Sequence, residues 1–215
     1  MNQLSSKATW ILGGLLACLC LVAPVQAKVV ITFTGTVTDV SAFGATPPSG
    51  VAVGNPVSGT ITYVPTAATA VEVGPGERSY FFPVEVEHLI TITIGSKTWK
   101  STLLVGVCDD VCDGDRLDFS GFSQTAADFP GLLDVGLAAL EYSDSQAPYA
   151  LLNGTDLPNS SEDIGFGSAD LKSGTISSNS GTGLSLWLIS FDLDSATLPA
   201  RGTSWGTVKA LYGKP

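Results

Sequence analysis

The chain has 215 residues, with 10 Lys and Arg against 20 Asp and Glu, for a formal net charge of −10. A chain this acidic repels phosphate backbones and anionic headgroups, which argues against nucleic acid and membrane-surface partners. Charged residues are scarce while Gly, Ser, Thr and Val abound, a mixture that favours strands and turns over helices.

Residues 1–27 read as a secretory signal peptide. Lys7 supplies a positive start and Ala8–Val22 is an apolar run. Pro24 breaks it, and Val25-Gln26-Ala27 offers a cleavage site. An uncleaved anchor is the alternative, but Pro24 and Gln26 fall where a span should still be apolar. Leu15-Leu16-Ala17-Cys18 also resembles a lipoprotein box that would anchor the chain through a lipid on Cys18, although Leu19–Val25 lacks the polar tether that usually follows. The expectation is a secreted or periplasmic product, one domain over residues 28–215, free of the membrane after cleavage.

Val29–Val40 alternates cleanly. Val29, Ile31, Phe33 and Val37 point one way and Thr32, Thr34, Thr36 and Thr38 the other, as a half-buried strand requires. Ser41–Pro56 reads as a loop, Val57–Val64 as a second strand and Pro65–Glu77 as another loop. Ser79–Ile94 is strand-like with a break or edge position at Pro83. Gly95-Ser96 is a tight connection into Trp99–Val107, which is expected to form one arm of a hairpin whose other arm is Asp115–Phe122. Leu132–Tyr142 has a helix-like start at Asp128 and Pro130, but its alternation favours a strand. Ser143–Asp163 is a long polar loop with an apolar patch at Tyr149–Leu152. Ile164–Ser177, Leu184–Leu193 and Ser204–Tyr212 are the remaining strands, and Leu184–Leu193 is apolar on both sides, as a centrally placed strand would be. About eight or more strands with turns between them point to an all-β, antiparallel, jelly-roll-like β-sandwich.

Phe33-Thr34-Gly35-Thr36-Val37-Thr38, followed by Val53-Gly54-Asn55-Pro56-Val57-Ser58-Gly59-Thr60-Ile61-Thr62-Tyr63, resembles the N-terminal half of exported β-rich bacterial proteins of the PEP-CTERM-associated type. Asp156-Leu157-Pro158 and the late strand Leu186–Leu193 are similar to them too. Those proteins end in Pro-Glu-Pro, an apolar span and a basic cluster, which Val208–Pro215 does not contain. The resemblance implies export and a β fold. It carries no catalytic residues.

Cys108 and Cys112 lie between the hairpin arms, and in an exported chain so close a pair is most simply a disulfide. A metal or redox pair is the alternative, but two cysteines without further thiolates or a neighbouring histidine make a poor zinc set. Around them Asp109, Asp113 and Asp115 flank Gly114 and could offer hard oxygens to calcium. Val111 holds an expected ligand position and no Glu closes the site, so a solvated turn is the simpler reading. His88, the only histidine, falls on an apolar face, where a buried imidazole is the usual outcome. Gly202-Thr203-Ser204-Trp205-Gly206 matches a nucleophile elbow without the strand, helix and downstream histidine that an elbow needs. Trp99, Trp187, Trp205, Tyr142, Tyr149 and Tyr212 are either core or a sugar-stacking platform. Asn153 and Asn159 begin sequons that read as turns. A hydrolase would need a carboxylate pair such as Asp115 and Asp118 converging in a cleft. The residues therefore favour an exported, non-enzymatic structural or adhesive module with extracellular polysaccharide or a surface protein as partner. The alternative is a carbohydrate-binding module assisted by calcium.

Overall fold

The computed structural model describes residues 28–85, 87–122, 136–147, 149, 151–152, 154–159, 164–179 and 185–197. The leader with Cys18, the segment 132–135 and the expected last strand Ser204–Tyr212 lie outside them. The described residues form eleven strands and no α-helix: β1 (Val29–Ala42), β2 (Pro56–Tyr63), β3 (Thr69–Gly74), β4 (Glu77–Phe81), β5 (Leu89–Ile94), β6 (Lys97–Ser101), β7 (Leu104–Cys108), β8 (Asp115–Phe122), β9 (Gly136–Asp144), β10 (Leu171–Asn179) and β11 (Ser185–Thr197).

All eleven join one antiparallel sheet in the order β3-β4-β7-β8-β9-β10-β11-β1-β2-β5-β6. The sheet curls until β5 meets β8 and β6 meets β9, giving the sandwich-like body expected of an all-β chain. The bend has a visible cause in β1, whose pairing with β11 shifts register between Thr34 and Gly35 and again between Val37 and Asp39. Such bulges kink a strand and increase its twist, so a long strand can pass from one layer toward the other.

The inward face is the apolar face of the alternation. Ile31, Phe33, Ile61, Tyr63, Ile90, Ile92, Trp99, Phe119, Tyr142, Trp187 and Phe191 are all at most 2% exposed. Burying each large side chain is worth about 1.5–3 kcal/mol, so this row supplies much of the drive to curl. On β11 the inward set is Trp187, Ile189, Phe191 and Leu193, while Leu186 and Leu188 on the other side are half-buried.

Four expectations need correction. The expected strand Ile164–Ser177 begins only at Leu171, because residues 164–170 turn within the connection that precedes β10 after Ile164 bridges Leu152. The presumed loop Pro65–Glu77 contains a 3-10 turn at Pro65–Ala67 and the edge strand β3. Ser79–Ile94 is two strands, broken near Pro83, and they serve distant parts of the sheet: β4 pairs with β3 and β7, β5 with β2 and β6. Trp99–Val107 likewise divides at Thr102-Leu103. Only its second half, β7, pairs with β8, while Trp99 sits on β6 at the opposite edge.

The connection between β9 and β10 caps one end of the curl. Leu151, Leu152, Leu157, Ile164 and Phe166 are buried in it, and Leu152 bridges Ile164. Tyr63 donates its hydroxyl to Pro158 O at 2.6 Å, and Tyr80 donates to Thr155 O at 2.7 Å. Arg78 reaches Asp156 at 3.0 Å.

At the other closure point the chain leaving β6 passes over the end of β8. Thr102 N donates to Phe122 O at 3.0 Å, and Phe122 N donates back to Thr102 Oγ1 at 3.1 Å. Gly121 lies beneath this crossing, and a Cβ there would stand 1.7 Å from Thr102 O. Backbone cannot yield as a side chain tip can. Gly121→Ala is therefore expected to lower stability by about 2 kcal/mol, the usual scale for overpacking. Urea unfolding of the variant beside the parent measures it, and an unchanged midpoint would show that the two layers separate freely at this point.

Candidate functional site

The stapled tip between β7 and β8 is the site singled out by the sequence. Cys108 ends β7, and its sulfur lies at bonding distance from that of Cys112, with the two Cα atoms 6.0 Å apart. The turn continues through Asp110 and Asp113, which take left-handed φ of 61° and 59°. Aspartate tolerates that region better than most residues, because its short polar side chain can bond locally. Gly114 follows at φ 124°, and a Cβ there would meet Asp144 O at 2.2 Å, so glycine is required. Asp109 N donates to Gly76 O at 2.9 Å and seats the tip on the β3–β4 turn.

Asp115 opens β8 on its inward face and is 1% exposed. Its carboxylate holds two parts of the chain together. Oδ1 accepts from Asp110 N at 3.2 Å within the tip, and Oδ2 accepts from Leu152 N at 2.9 Å in the capping connection. Removing this acceptor would leave the buried Leu152 donor unsatisfied, which costs more than the bond itself contributes.

The carboxylates of Asp109, Asp110 and Asp115 each place an oxygen within 4.8 Å of the others. Asp113 is not in that group. Partial desolvation, then the neighbouring charges of Asp109 and Asp115, hold the Asp110 carboxyl above the usual carboxylate range. These three are the described residues best placed to hold a hard cation, although both Asp115 oxygens already accept amide hydrogens.

Asp115 and Asp118 do not converge. They lie on opposite faces of β8, Asp115 inward and Asp118 outward. Across the sheet Asp118 faces Glu141 of β9 and Gly106 of β7. Arg116 Nε sits 2.9 Å from Asp118 Oδ2. Burial outweighs that cation, and with Glu141 adding repulsion the Asp118 carboxyl is pushed up to about 6. The partnership with Glu141 follows from the β8–β9 register and has no signature in the sequence.

His88 is buried at 2% exposure just before β5. Its Nδ1 faces the Val64 N–H at 3.4 Å, and its ring centroid is 5.1 Å from that of Phe82. The packing is that of a core imidazole. Trp99, Trp187 and Tyr142 are at most 1% exposed and present no face to a sugar. Tyr149 is 37% exposed and Asn159 is exposed. The segment 202–206, Trp205, Tyr212 and Asn153 lie outside the described residues. A cleft of about 560 Å³ opens between Pro47 and Pro48 of the β1–β2 connection, Ser96 of the β5–β6 turn, and Lys97, Thr98 and the buried Trp99 of β6. It offers hydroxyls and one ammonium, and no second titratable group.

Two outcomes follow from these geometries. Asp115→Ala is expected to cost about 2 kcal/mol in chemical unfolding, since the buried Leu152 amide and the part-buried Asp110 amide lose their acceptor. A neutral result would mean that the tip and the cap are not joined through this carboxylate. For Asp118 the folded value lies above the unfolded one, so its favourable contribution is complete below about 4 and is lost as pH rises through about 6. Asp118→Asn should therefore flatten the stability profile between pH 4 and 6 and raise the melting temperature at pH 7.5. With about a third of this side chain in water, screening limits the gain to about 1 kcal/mol. An unchanged pH profile in thermal melts would dispose of the idea. Comparison with known protein families, characterised proteins and solved structures finds no match to this chain.

Proposed function

We propose that the chain is an exported, non-enzymatic structural or adhesive β module of a bacterial surface, matrix or periplasm. The observation that carries this reading is the stapled tip. A cysteine pair at bonding distance suits an oxidising compartment, where such a bond persists. One acidic group beside it is engaged in holding the fold, since the Asp115 carboxylate ties the tip to the capping connection, and the backbone of Asp109 seats the tip on the neighbouring hairpin. The apolar leader and the short-motif resemblance to exported β-rich bacterial proteins point to the same compartment.

The carbohydrate-binding alternative has less support, because Trp99, Trp187 and Tyr142 are used in the core. Hydrolysis would need a titratable pair in a cleft. His88 is enclosed by Phe82 and the Val64 backbone, and Asp115 and Asp118 face opposite ways.

Expression of the full gene in a bacterial host, followed by fractionation, N-terminal sequencing and thiol labelling, tests the reading. The expected product starts at Lys28, lies outside the cytoplasm and has no thiol open to labelling until it is reduced. Cys112→Ser should lower its stability by about 2 kcal/mol, the loop-entropy value for so short a ring. A cytoplasmic, full-length product with free thiols refutes export. Turnover of a polysaccharide or ester panel that disappears with His88→Ala or Asp118→Asn refutes the non-enzymatic reading.

A further inference from the structure

The outward face of the layer β11-β1-β2-β5-β6 carries two ranks of hydroxyls. The strand registers align Thr197, Thr32, Thr60, Thr91 and Lys100 in one rank. They align Ser195, Thr34, Ser58, Thr93 and Thr98 in the next. Nine of these ten positions bear a hydroxyl, Lys100 is the single charge, and all ten are exposed or half-buried. Within each strand the two members are separated by one inward residue, such as Phe33, Gly59, Ile92 or Trp99.

The spacing within the array is set by antiparallel pairing, which runs in unbroken register from β1 through β2 and β5 to β6. Neighbouring ranks and strands repeat at about 6.7 Å along the chain and about 4.8 Å across it. The side chains are also held in place. Threonine is stiff about its first torsion. Thr32 and Thr197 hydroxyls lie 2.6 Å apart, Thr34 and Ser195 2.9 Å, and Thr93 and Thr98 3.0 Å.

We propose that this face binds ice. Each threonine presents a hydroxyl that bonds a water molecule beside a methyl that a water cage can enclose. The two repeats are close to those of water oxygens on the faces of hexagonal ice, so waters anchored here extend a lattice rather than disrupt it. Charge is matched as well. Nine uncharged positions meet an uncharged crystal, whereas an anionic polymer would meet a chain of net charge −10. A neutral polysaccharide would share the absence of charge, but none of the ten positions is aromatic, so sugar rings have nothing to stack upon. The inference does not depend on the compartment in which the chain works.

Ice-affinity partitioning of the purified full chain tests it, with the growth of a single ice crystal watched in the same solution. The parent is expected to enter the ice and to facet and slow the crystal. Thr34→Lys, flanked in its rank by Ser195 and Ser58, should lose most of both effects, and Thr34→Val, which keeps the shape and drops the hydroxyl, should lose part. Ser120→Lys, on the outer face of β8 in the other layer, should behave as the parent. Circular dichroism melts confirm that each variant is folded. Exclusion of the parent from ice, or full activity in Thr34→Lys, overturns the proposal. Retention of the parent on microcrystalline cellulose with exclusion from ice also overturns it, and assigns the array to a neutral polysaccharide.

Discussion

A sheet with one apolar face and, among the described residues, no α-helix to cover it must cover that face with itself. Every other feature of this chain follows from that constraint. The aromatic residues Phe33, Tyr63, Trp99, Phe119, Tyr142, Trp187 and Phe191 all lie on the inward side and are at most 2% exposed. They can leave water only if distant strands of one continuous sheet come face to face, as β5 and β8 do. The bulges of β1, the Thr102–Phe122 crossing and the cap between β9 and β10 are means of making and holding that curl.

A curled sheet has open ends, and polar groups secure them here. At the capped end the fixed points are single side chains reaching backbone: Tyr63 to Pro158, Tyr80 to Thr155, and Leu152 N to Asp115. An otherwise irregular connection thereby satisfies buried main-chain groups that have no ladder partner. The stapled tip belongs to the same arrangement, since Asp115 also accepts from Asp110 N. The acidic residues that look like a ligand set in the sequence are, in part, the carpentry of this end of the molecule.

Where a strand has one buried face, its residues declare it. Val29, Ile31, Phe33 and Val37 of β1 and Val57, Ile61 and Tyr63 of β2 are buried as their alternation requires. β3 was illegible for the same reason in reverse: Thr69 to Val73 are exposed on both faces, so burial imposes no pattern on them. The division at Thr102 was hidden differently. Trp99, Ser101, Leu103, Val105 and Val107 are all buried, so a period of two runs unbroken through the point where the chain leaves one edge of the sheet for another place in it. At the tip, the cysteine spacing was readable because a short ring needs nothing else. The carboxylate grouping was not, because left-handed residues at 110 and 113 suspend the rule that tells one side of a strand from the other. Nor could the Leu152 contact be read, since it exists only once the cap has docked.

The placement of β1 between β2 and β11 has a temporal meaning. A chain emerging N-terminus first, from a ribosome or through a pore, presents β1 early, yet one flank of that strand stays unpaired until nearly everything else has passed. Closing so distant a pair is slow relative to local hairpins. The topology therefore defers the pairing of both flanks of β1 to the arrival of the last described strand.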